Sequence, residues 1–317
     1  MHVPKEMKPF KPEQIFGNWA TLLLPIDERE RIDYARLNDE IDCIAAAGVN
    51  GVYSNGTAGE FHTQSEHEFD RISELLAQKC ERARLPFQIG VSHTSAQVSL
   101  ERLRRVKCLA PSAVQVILPD WFPLTDDEAV AFLETMASAA EPIGVVLYNP
   151  PHAKRVLTPA AIRMLAERVT TLVGVKVAAP GSQKWFEELG AETAKRLSVF
   201  TPGHLLATHL PLGSRGAYSN VACIHPAAAQ KWYELMRTDL HAAQEVQQRL
   251  LTFFDDYITP LITRDRYANP AVDKLLAAIG SWAPVGTRMR WPYRSIPQEM
   301  ANHLRPIMRQ QVPELLT

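Results

Sequence analysis

Short apolar runs alternate with longer segments of helical periodicity over most of the chain, a pattern typical of repeated βα units. The short runs predict strands at 19–24, 51–54, 87–91, 114–118, 144–148, 172–176, 197–201 and 216–219. The longer segments predict helices at 34–47, 66–80, 95–109, 126–140, 182–194 and 226–236, with one opening at Thr158 and a short one after Gly203. Eight such units predict a (β/α)8 TIM barrel, an α/β fold.

Two further features of the pattern refine this prediction. A doubly wound open sheet is the alternative fold, but it would carry a glycine-rich GxGxxG turn after its first strand, and 19–25 has none. Beyond residue 239 the strands stop, and helices are predicted at 242–257 and 271–279. We therefore expect 1–238 to form the barrel with the active site, and 239–317 to form a helical region packed on it.

Composition excludes several classes of function. The chain has 317 residues, 46% hydrophobic and 22% charged, which is ordinary for a globular enzyme. A net charge of −1 indicates no nucleic-acid partner and no anionic membrane surface. No apolar run is long enough to span a membrane, no signal peptide is evident, and no histidines or cysteines have metal-ligand spacing. We expect a cytoplasmic protein with four reduced cysteines, Cys43, Cys80, Cys108 and Cys223.

Lys176 is the most informative residue of the chain. It ends an otherwise uncharged, β-branched run at 170–178 that predicts a buried parallel strand. Burial disfavours the ammonium and lowers a lysine pKa toward the free amine, which is the form that attacks a ketone to make a Schiff base. The alternative is a lysine that emerges at the strand end and pairs with a carboxylate.

Other unusual residues fall at the ends of neighbouring predicted strands, where barrel enzymes hold their catalytic groups. The segment 55–60, with sequence NGTAGE, follows the second strand and can turn backbone N–H groups toward an anion. Thr57 adds a hydroxyl there, and Tyr148 ends the fifth strand with a phenol that can relay protons. Together with Lys176, these groups suit a 2-oxo acid. A plain βα turn and a strand-end aromatic are the alternatives.

Four motifs give the chain a resemblance to a known family. NGTAGE at 55–60, YNPP at 148–151, GVK at 174–176 and GSRGAYS at 213–219 resemble the dihydrodipicolinate synthase / N-acetylneuraminate lyase family over nearly the whole chain. The resemblance implies a class I lyase without cofactor or metal that acts on pyruvate or a related small 2-oxo acid. It also implies a homo-oligomer, usually a tetramer and otherwise a dimer.

The resemblance also implies roles for individual residues. Lys176 is the Schiff-base lysine, and Tyr148 is the tyrosine that handles protons. Thr57 and Ala58 form the loop that binds the substrate carboxylate, and Tyr218 occupies the position after the eighth strand whose backbone faces the 2-oxo acid. The family usually has a second hydroxyl residue where this chain has Ala58, so carboxylate binding is expected to be weaker.

Two departures from the family pattern concern the binding of a second substrate. Dihydrodipicolinate synthases have a Tyr-Tyr pair after the fourth strand, where this chain has Asp120 and Trp121, and an indole N–H cannot relay a proton as a phenol does. They also place an arginine five residues after the catalytic tyrosine, where this chain has Ala153. Lys154 and Arg155 are adjacent but out of register. These departures count against aspartate semialdehyde as the partner.

Three functions follow as expectations. The first is a Schiff-base aldolase or dehydratase for a 2-oxo acid, of the 2-oxo-3-deoxy sugar acid type. The second is 4-hydroxy-tetrahydrodipicolinate synthase, condensing pyruvate with aspartate semialdehyde through a rearranged proton relay. The third, from another class, is a non-catalytic protein that binds a 2-oxo acid.

Overall fold

The centre of the molecule is a closed barrel of eight parallel strands. The computed structural model describes residues 10–177 and 183–317. The strands are β1 (Gly17–Thr21), β2 (Gly51–Ser54), β3 (Phe87–Gly90), β4 (Ala113–Val116), β5 (Val145–Asn149), β6 (Leu172–Val177), β7 (Ser198–Thr201) and β8 (Gly216–Tyr218). Each strand pairs with the next along the chain, and β8 pairs with β1. The predicted (β/α)8 barrel is therefore confirmed.

Aromatic side chains fill the barrel interior. Tyr218 packs against Trp19, Tyr53 and Phe200, with ring centres 6.0, 4.8 and 4.5 Å apart. All four residues are buried, and they belong to one apolar cluster that the other strands complete with small and branched side chains. Such layers make a barrel interior a packed core rather than a pore. The cluster therefore supplies a rigid floor beneath the C-terminal ends of the strands.

Helices cover the outside of the barrel. They are α1 (Tyr34–Ala46), α2 (Glu66–Ala83), α3 (Ala96–Val106), α4 (Asp126–Ala140), α5 (Pro159–Arg168), α6 (Gln183–Leu189), α7 (Ala191–Arg196), α8 (Leu206–His209), α9 (Asn220–Ile224) and α10 (Pro226–Thr238). Capping boxes fix two of the starts, Ser65 with Glu68 at α2 and Thr125 with Glu128 at α4. Ser95, predicted as the first residue of a helix at 95–109, is instead the N-cap of α3, and its side chain makes no capping bond.

The structure corrects several of the predicted boundaries. The prediction of one continuous helix at 182–194 is wrong. The segment forms two helices, α6 and α7, because Gly190 between them has a φ of +86°, which a helix cannot accommodate. Residue 182 lies outside the described residues. The first strand begins at Gly17 and ends at Thr21 rather than spanning 19–24, although Leu22 and Leu23 after it are fully buried. The short helix α9 was not predicted.

The C-terminal part of the chain is helical, as predicted. It contains α11 (Leu240–Phe253), a π-helical segment (Phe254–Ile258), α12 (Thr259–Thr263), α13 (Asn269–Gly280) and α14 (Gln298–Gln311). The sequence pattern missed α14, which has Pro306 inside it. A sharp boundary at residue 238 remains a prediction. In the described ranges, no helix combines the length and the apolarity needed to cross a membrane.

Close packing fixes α13 against the barrel. The helix contacts α9 and α14, and a Cβ added to Gly280 would meet the Ile224 carbonyl oxygen at 1.5 Å, so this approach requires glycine. Nearly every residue of α13 is buried. A helix packed this firmly can hold its own side chains in fixed positions at the barrel mouth.

Candidate active site

Lys176 lies near the end of β6, where three tyrosine rings surround its amine. Its Nζ lies 4.1 Å from the centre of the Tyr148 ring, 5.0 Å from that of Tyr53 and 5.4 Å from that of Tyr218. The Tyr53 hydroxyl is 3.4 Å from the same nitrogen. Aromatic faces attract an ammonium, but they also displace the water that would solvate it.

The environment of Lys176 favours the free amine. Burial lowers the pKa of Lys176 to about 8, and the negative charge of Asp273 opposes that shift. Relative to an ordinary lysine, this corresponds to roughly 300-fold more free amine near neutral pH. The two sequence-based interpretations of Lys176 each describe part of the site, since the lysine is desolvated and also faces a carboxyl group.

Tyr148 is the neighbour of Lys176 across the β5–β6 ladder, where the two residues pair in register. Burial raises the pKa of Tyr148 to about 12, and an interaction with the Thr57 hydroxyl partly offsets this. The phenol is therefore protonated at neutral pH and can donate to an oxygen bound beside Lys176. The structure thus brings Lys176, Tyr148 and Thr57 together.

The loop after β2 turns back on itself beside these residues. The N–H of Glu60 donates to the Thr57 carbonyl at 3.0 Å, and the N–H of Phe61 donates to the Gly56 carbonyl at 3.4 Å. Within the described part of the chain, the N–H groups of Thr57 and Ala58 donate to no protein acceptor. Thr57 and Ala58 also line the cavity that holds Lys176. Two N–H groups and a hydroxyl are thus available to an anion.

Tyr218 is placed differently from the prediction. It is the last residue of β8 rather than a residue after the strand. Its side chain lies inside the barrel, where the hydroxyl donates to Gln88 Oε1 at 2.6 Å. Burial raises the pKa of Tyr218 far above its ordinary range. Its phenol therefore forms part of the site's floor.

A single cavity connects these groups. It has a volume of about 280 Å³ at the barrel mouth. Its wall combines polar residues such as Lys176 with apolar ones, including Phe254, Ile258 and Ile262 from the π-helical segment and α12. A small organic acid fits a space of this size.

The sequence reasoning missed several polar residues of this cavity wall, among them two hydrogen-bonded pairs. Asp273 and Asn269 come from α13, and Asn269 Nδ2 donates to Asp273 Oδ2 at 2.9 Å. His204 and Asn220 follow β7 and β8, and their side chains are hydrogen-bonded, with Asn220 Nδ2 2.9 Å from His204 Nδ1. A signal existed for Asp273, because it and the adjacent Lys274 are charged residues in an otherwise apolar helical segment.

Of the departures from the family pattern, Ala58 lies in this cavity wall, whereas Asp120 and Ala153 line an adjoining cavity, together with Arg155, that shares Thr57 and Tyr148 with the first. The Arg155 guanidinium bonds the Leu124 carbonyl and forms an ion pair with Asp126, while Lys154 Nζ bonds the Trp121 carbonyl. Asp120 accepts a hydrogen bond from the Lys154 N–H, and the Trp121 side chain is 73% exposed. Both cationic groups thus bond to the loop after β4 and the start of α4.

The described residues offer no cluster of three histidine, cysteine or acidic side chains arranged to hold a metal ion. All four cysteines are unpaired by disulfides, and Cys223 lies in the wall of the cavity. Burial raises the pKa of Cys223 well above its ordinary range, so this thiol remains protonated.

Comparison with known proteins establishes the family. The model of the dihydrodipicolinate synthetase family matches residues 14–311, and the chain belongs to that family. A 4-hydroxy-tetrahydrodipicolinate synthase of Acidiphilium cryptum is 27% identical over 267 residues, which cover 83% of this chain and 87% of that protein. Family members of this kind are lyases and synthases, and this chain is a lyase in that broad sense.

Solved structures share the fold. YagE of E. coli K12, a prophage protein of the dihydrodipicolinic acid synthase family solved with pyruvate, superposes with a TM-score of 0.81 at 22% identity. The match covers 94% of this chain and 98% of that one. The N-acetylneuraminate lyase of Proteus mirabilis gives a TM-score of 0.80 at 19% identity, covering 94% and 98% of the two chains.

Proposed function

We propose that this protein is a class I lyase that forms a Schiff base between Lys176 and pyruvate or a related 2-oxo acid. One observation carries the proposal: a desolvated lysine amine, with a pKa lowered to about 8, faces the Tyr148 ring in a cavity of about 280 Å³. An amine activated by desolvation is the nucleophile that imine chemistry needs at neutral pH.

The proposed roles of the other residues follow from their positions. The Lys176 amine attacks the ketone carbon, and the carbonyl oxygen takes a proton from Tyr148 to give a carbinolamine. Tyr148 next recovers the proton that the attacking nitrogen gained and returns it to the carbinolamine hydroxyl, which leaves as water while the nitrogen lone pair forms the iminium; solvent then reprotonates the phenolate. The Thr57 hydroxyl and the N–H groups of Thr57 and Ala58 bind the carboxylate, while the Tyr218 backbone borders the bound acid.

We propose a 2-oxo-3-deoxy sugar acid as the substrate class. Hydroxyl groups can bond to the neutral side chains in the wall, Asn269, Asn220 and His204. Among the described residues of that wall, Lys176 is the sole cation, so a second carboxylate finds no ion-pair partner there. The similarity to an N-acetylneuraminate lyase, whose named substrate is a sugar acid, agrees with this class.

The second candidate, 4-hydroxy-tetrahydrodipicolinate synthase, is favoured by the name of the Acidiphilium cryptum relative. Its second substrate would need an anchor for another carboxylate. Ala153 offers none, and the Arg155 guanidinium already pairs with Asp126. We also propose a cytoplasmic homo-oligomer, as in the family resemblance, and size-exclusion chromatography with light scattering tests the oligomeric part.

Substrate preference separates the two candidates. With pyruvate, we expect aspartate semialdehyde to give a kcat/KM roughly tenfold to hundredfold below that of D-glyceraldehyde. Each lost charge-assisted hydrogen bond to the second carboxylate costs about 1.5–3 kcal/mol. Steady-state kinetics with both aldehydes measure this ratio. Efficient use of aspartate semialdehyde that disappears in Arg155→Ala or Lys154→Ala would instead assign the missing anchor to those residues.

Tyr148→Phe should reduce kcat by about 10²-fold or more, because phenylalanine keeps the ring beside Lys176 but removes the proton donor. Tyr293→Phe is the matched control, since Tyr293 is a partly exposed tyrosine on the surface, and it should keep wild-type kinetics. Comparable kcat values for Tyr148→Phe and the wild type would show that another group moves these protons.

A further inference from the structure

The C-terminal helix α13 brings a carboxyl group into the Schiff-base cavity. Asp273 is 5% exposed and lines the same cavity wall as Lys176. Its Oδ2 accepts a hydrogen bond from Asn269 at 2.9 Å. Its Oδ1 accepts none from any residue in the described ranges. A carboxyl oxygen that is nearly buried, unbonded and adjacent to the cavity is placed to bond a substrate atom.

The other titratable groups of the cavity are fixed in charge near neutral pH. Burial raises the pKa values of Tyr53, Tyr148, Tyr218 and Cys223, and it lowers that of His204, so these five groups are neutral. Burial also raises the pKa of Asp273 to about 7, with the charge of Lys176 opposing the shift. Asp273 can therefore both take and give a proton under the conditions in which Lys176 forms an imine.

We propose that Asp273 is a catalytic residue that contacts the oxygen on C4 of the substrate and transfers its proton. The proposal rests on the proposed function and deepens it to aldol cleavage and condensation of 2-oxo-4-hydroxy acids. In cleavage, Oδ1 takes the proton of the C4 hydroxyl, and the oxygen's electron pair forms the aldehyde C=O. The C3–C4 bond breaks, its electron pair forms C2=C3, and the iminium π pair moves to nitrogen. Condensation reverses each transfer.

In this proposal, Tyr148 and Asp273 transfer protons at different steps of the reaction. Tyr148 comes from β5, directly beside β6, and its phenol suits the oxygen that leaves C2 during imine formation. Asp273 comes from α13, a separate element of the cavity wall. A carboxylate with a pKa near neutrality is also a far better acceptor for a hydroxyl proton than a phenol whose pKa is about 12.

Pyruvate provides the test, because it forms the imine but has no C4. Asp273→Asn should still be labelled on Lys176 by pyruvate and borohydride, and should still exchange the methyl protons of pyruvate in D₂O. Its condensation of pyruvate with D-glyceraldehyde should fall about 10²–10⁴-fold. The pH midpoint of labelling should also move lower, because removal of the Asp273 charge removes an interaction that raises the pKa of Lys176.

Two further variants keep the test specific. Asp273→Ala should regain part of its condensation activity in added formate, which can occupy the vacated space as a carboxylate. Asp256→Asn removes an exposed carboxylate from the π-helical segment and should behave as wild type. Circular dichroism of each variant establishes that it is folded.

Several outcomes would overturn the proposal. These are condensation by Asp273→Asn within a few-fold of wild type, equal loss of labelling and condensation in that folded variant, or absence of formate rescue. Wild-type protein that is labelled by pyruvate but condenses with no hydroxylated aldehyde would also overturn it. Absence of labelling in the wild type would instead remove the Schiff-base function itself, so the two failures are distinguishable.

Discussion

Lys176→Arg should have no measurable turnover while keeping the wild-type fold. Arginine remains protonated and cannot form an imine, and its positive charge preserves the attraction to Asp273. Because imine formation precedes every later step, the loss should extend to all substrates. We expect a decrease of at least about 10⁴-fold in kcat, measured by aldehyde release or consumption.

Lys184→Arg is the matched control for this substitution. Lys184 lies on α6, where its side chain is 81% exposed and pairs with Glu188. Its replacement should leave kcat unchanged. Near wild-type turnover by Lys176→Arg would show that the chemistry does not pass through an imine on this residue.

The largest expected effect on stability comes from Lys274→Ala. Lys274 and Glu60 form an ion pair in which both side chains are 0% exposed, and Lys274 Nζ also donates to the Arg288 carbonyl at 2.7 Å. Removing the lysine leaves the Glu60 carboxylate buried without its partner. We expect a loss of about 3–5 kcal/mol in the free energy of unfolding. Urea unfolding followed by circular dichroism measures it.

Two other variants establish the cause of this loss. Lys195→Ala breaks an exposed pair with Glu192 and should leave the unfolding midpoint unchanged. Adding Glu60→Gln to Lys274→Ala removes the stranded charge and should restore part of the stability. A loss below about 1 kcal/mol in Lys274→Ala would mean that water or a rearranged side chain solvates Glu60.

This pair also joins the C-terminal helices to the site. Glu60 ends the loop that contains Thr57 and Ala58, in a left-handed backbone conformation with φ of 50°. Lys274 follows Asp273 on α13. The ion pair therefore fixes the carboxylate-binding loop and the proposed acid–base residue relative to each other, so weakening it should disturb both.

The barrel could be predicted because its signals are local. Each strand is a short buried run, and the helices begin at polar caps such as Ser65 and Thr125. Lys176 and Tyr148 were found for the same reason, since an ionisable residue at the end of an apolar strand stands out without any knowledge of packing.

The rest of the site depends on contacts between distant parts of the chain. Asp273 lies on α13, far from Lys176 in sequence, and only the packing of α13 against α9 places it in the cavity. The adjacent charges of Asp273 and Lys274 within a helix buried on all sides were the available clue. Buried charges of this kind must be paired or functional. Here Lys274 forms a structural ion pair with Glu60, and Asp273 lines the cavity.

Borohydride reduction in the presence of pyruvate tests the central claim most directly. The wild-type protein should gain the mass of one reduced pyruvate adduct per chain, and peptide mapping should place that adduct on Lys176. Labelling should weaken as the pH falls below the lysine pKa of about 8, because the free amine is the reactive form. Lys176→Arg should gain no mass. An unlabelled wild-type protein, or an adduct on a different lysine, would contradict the account.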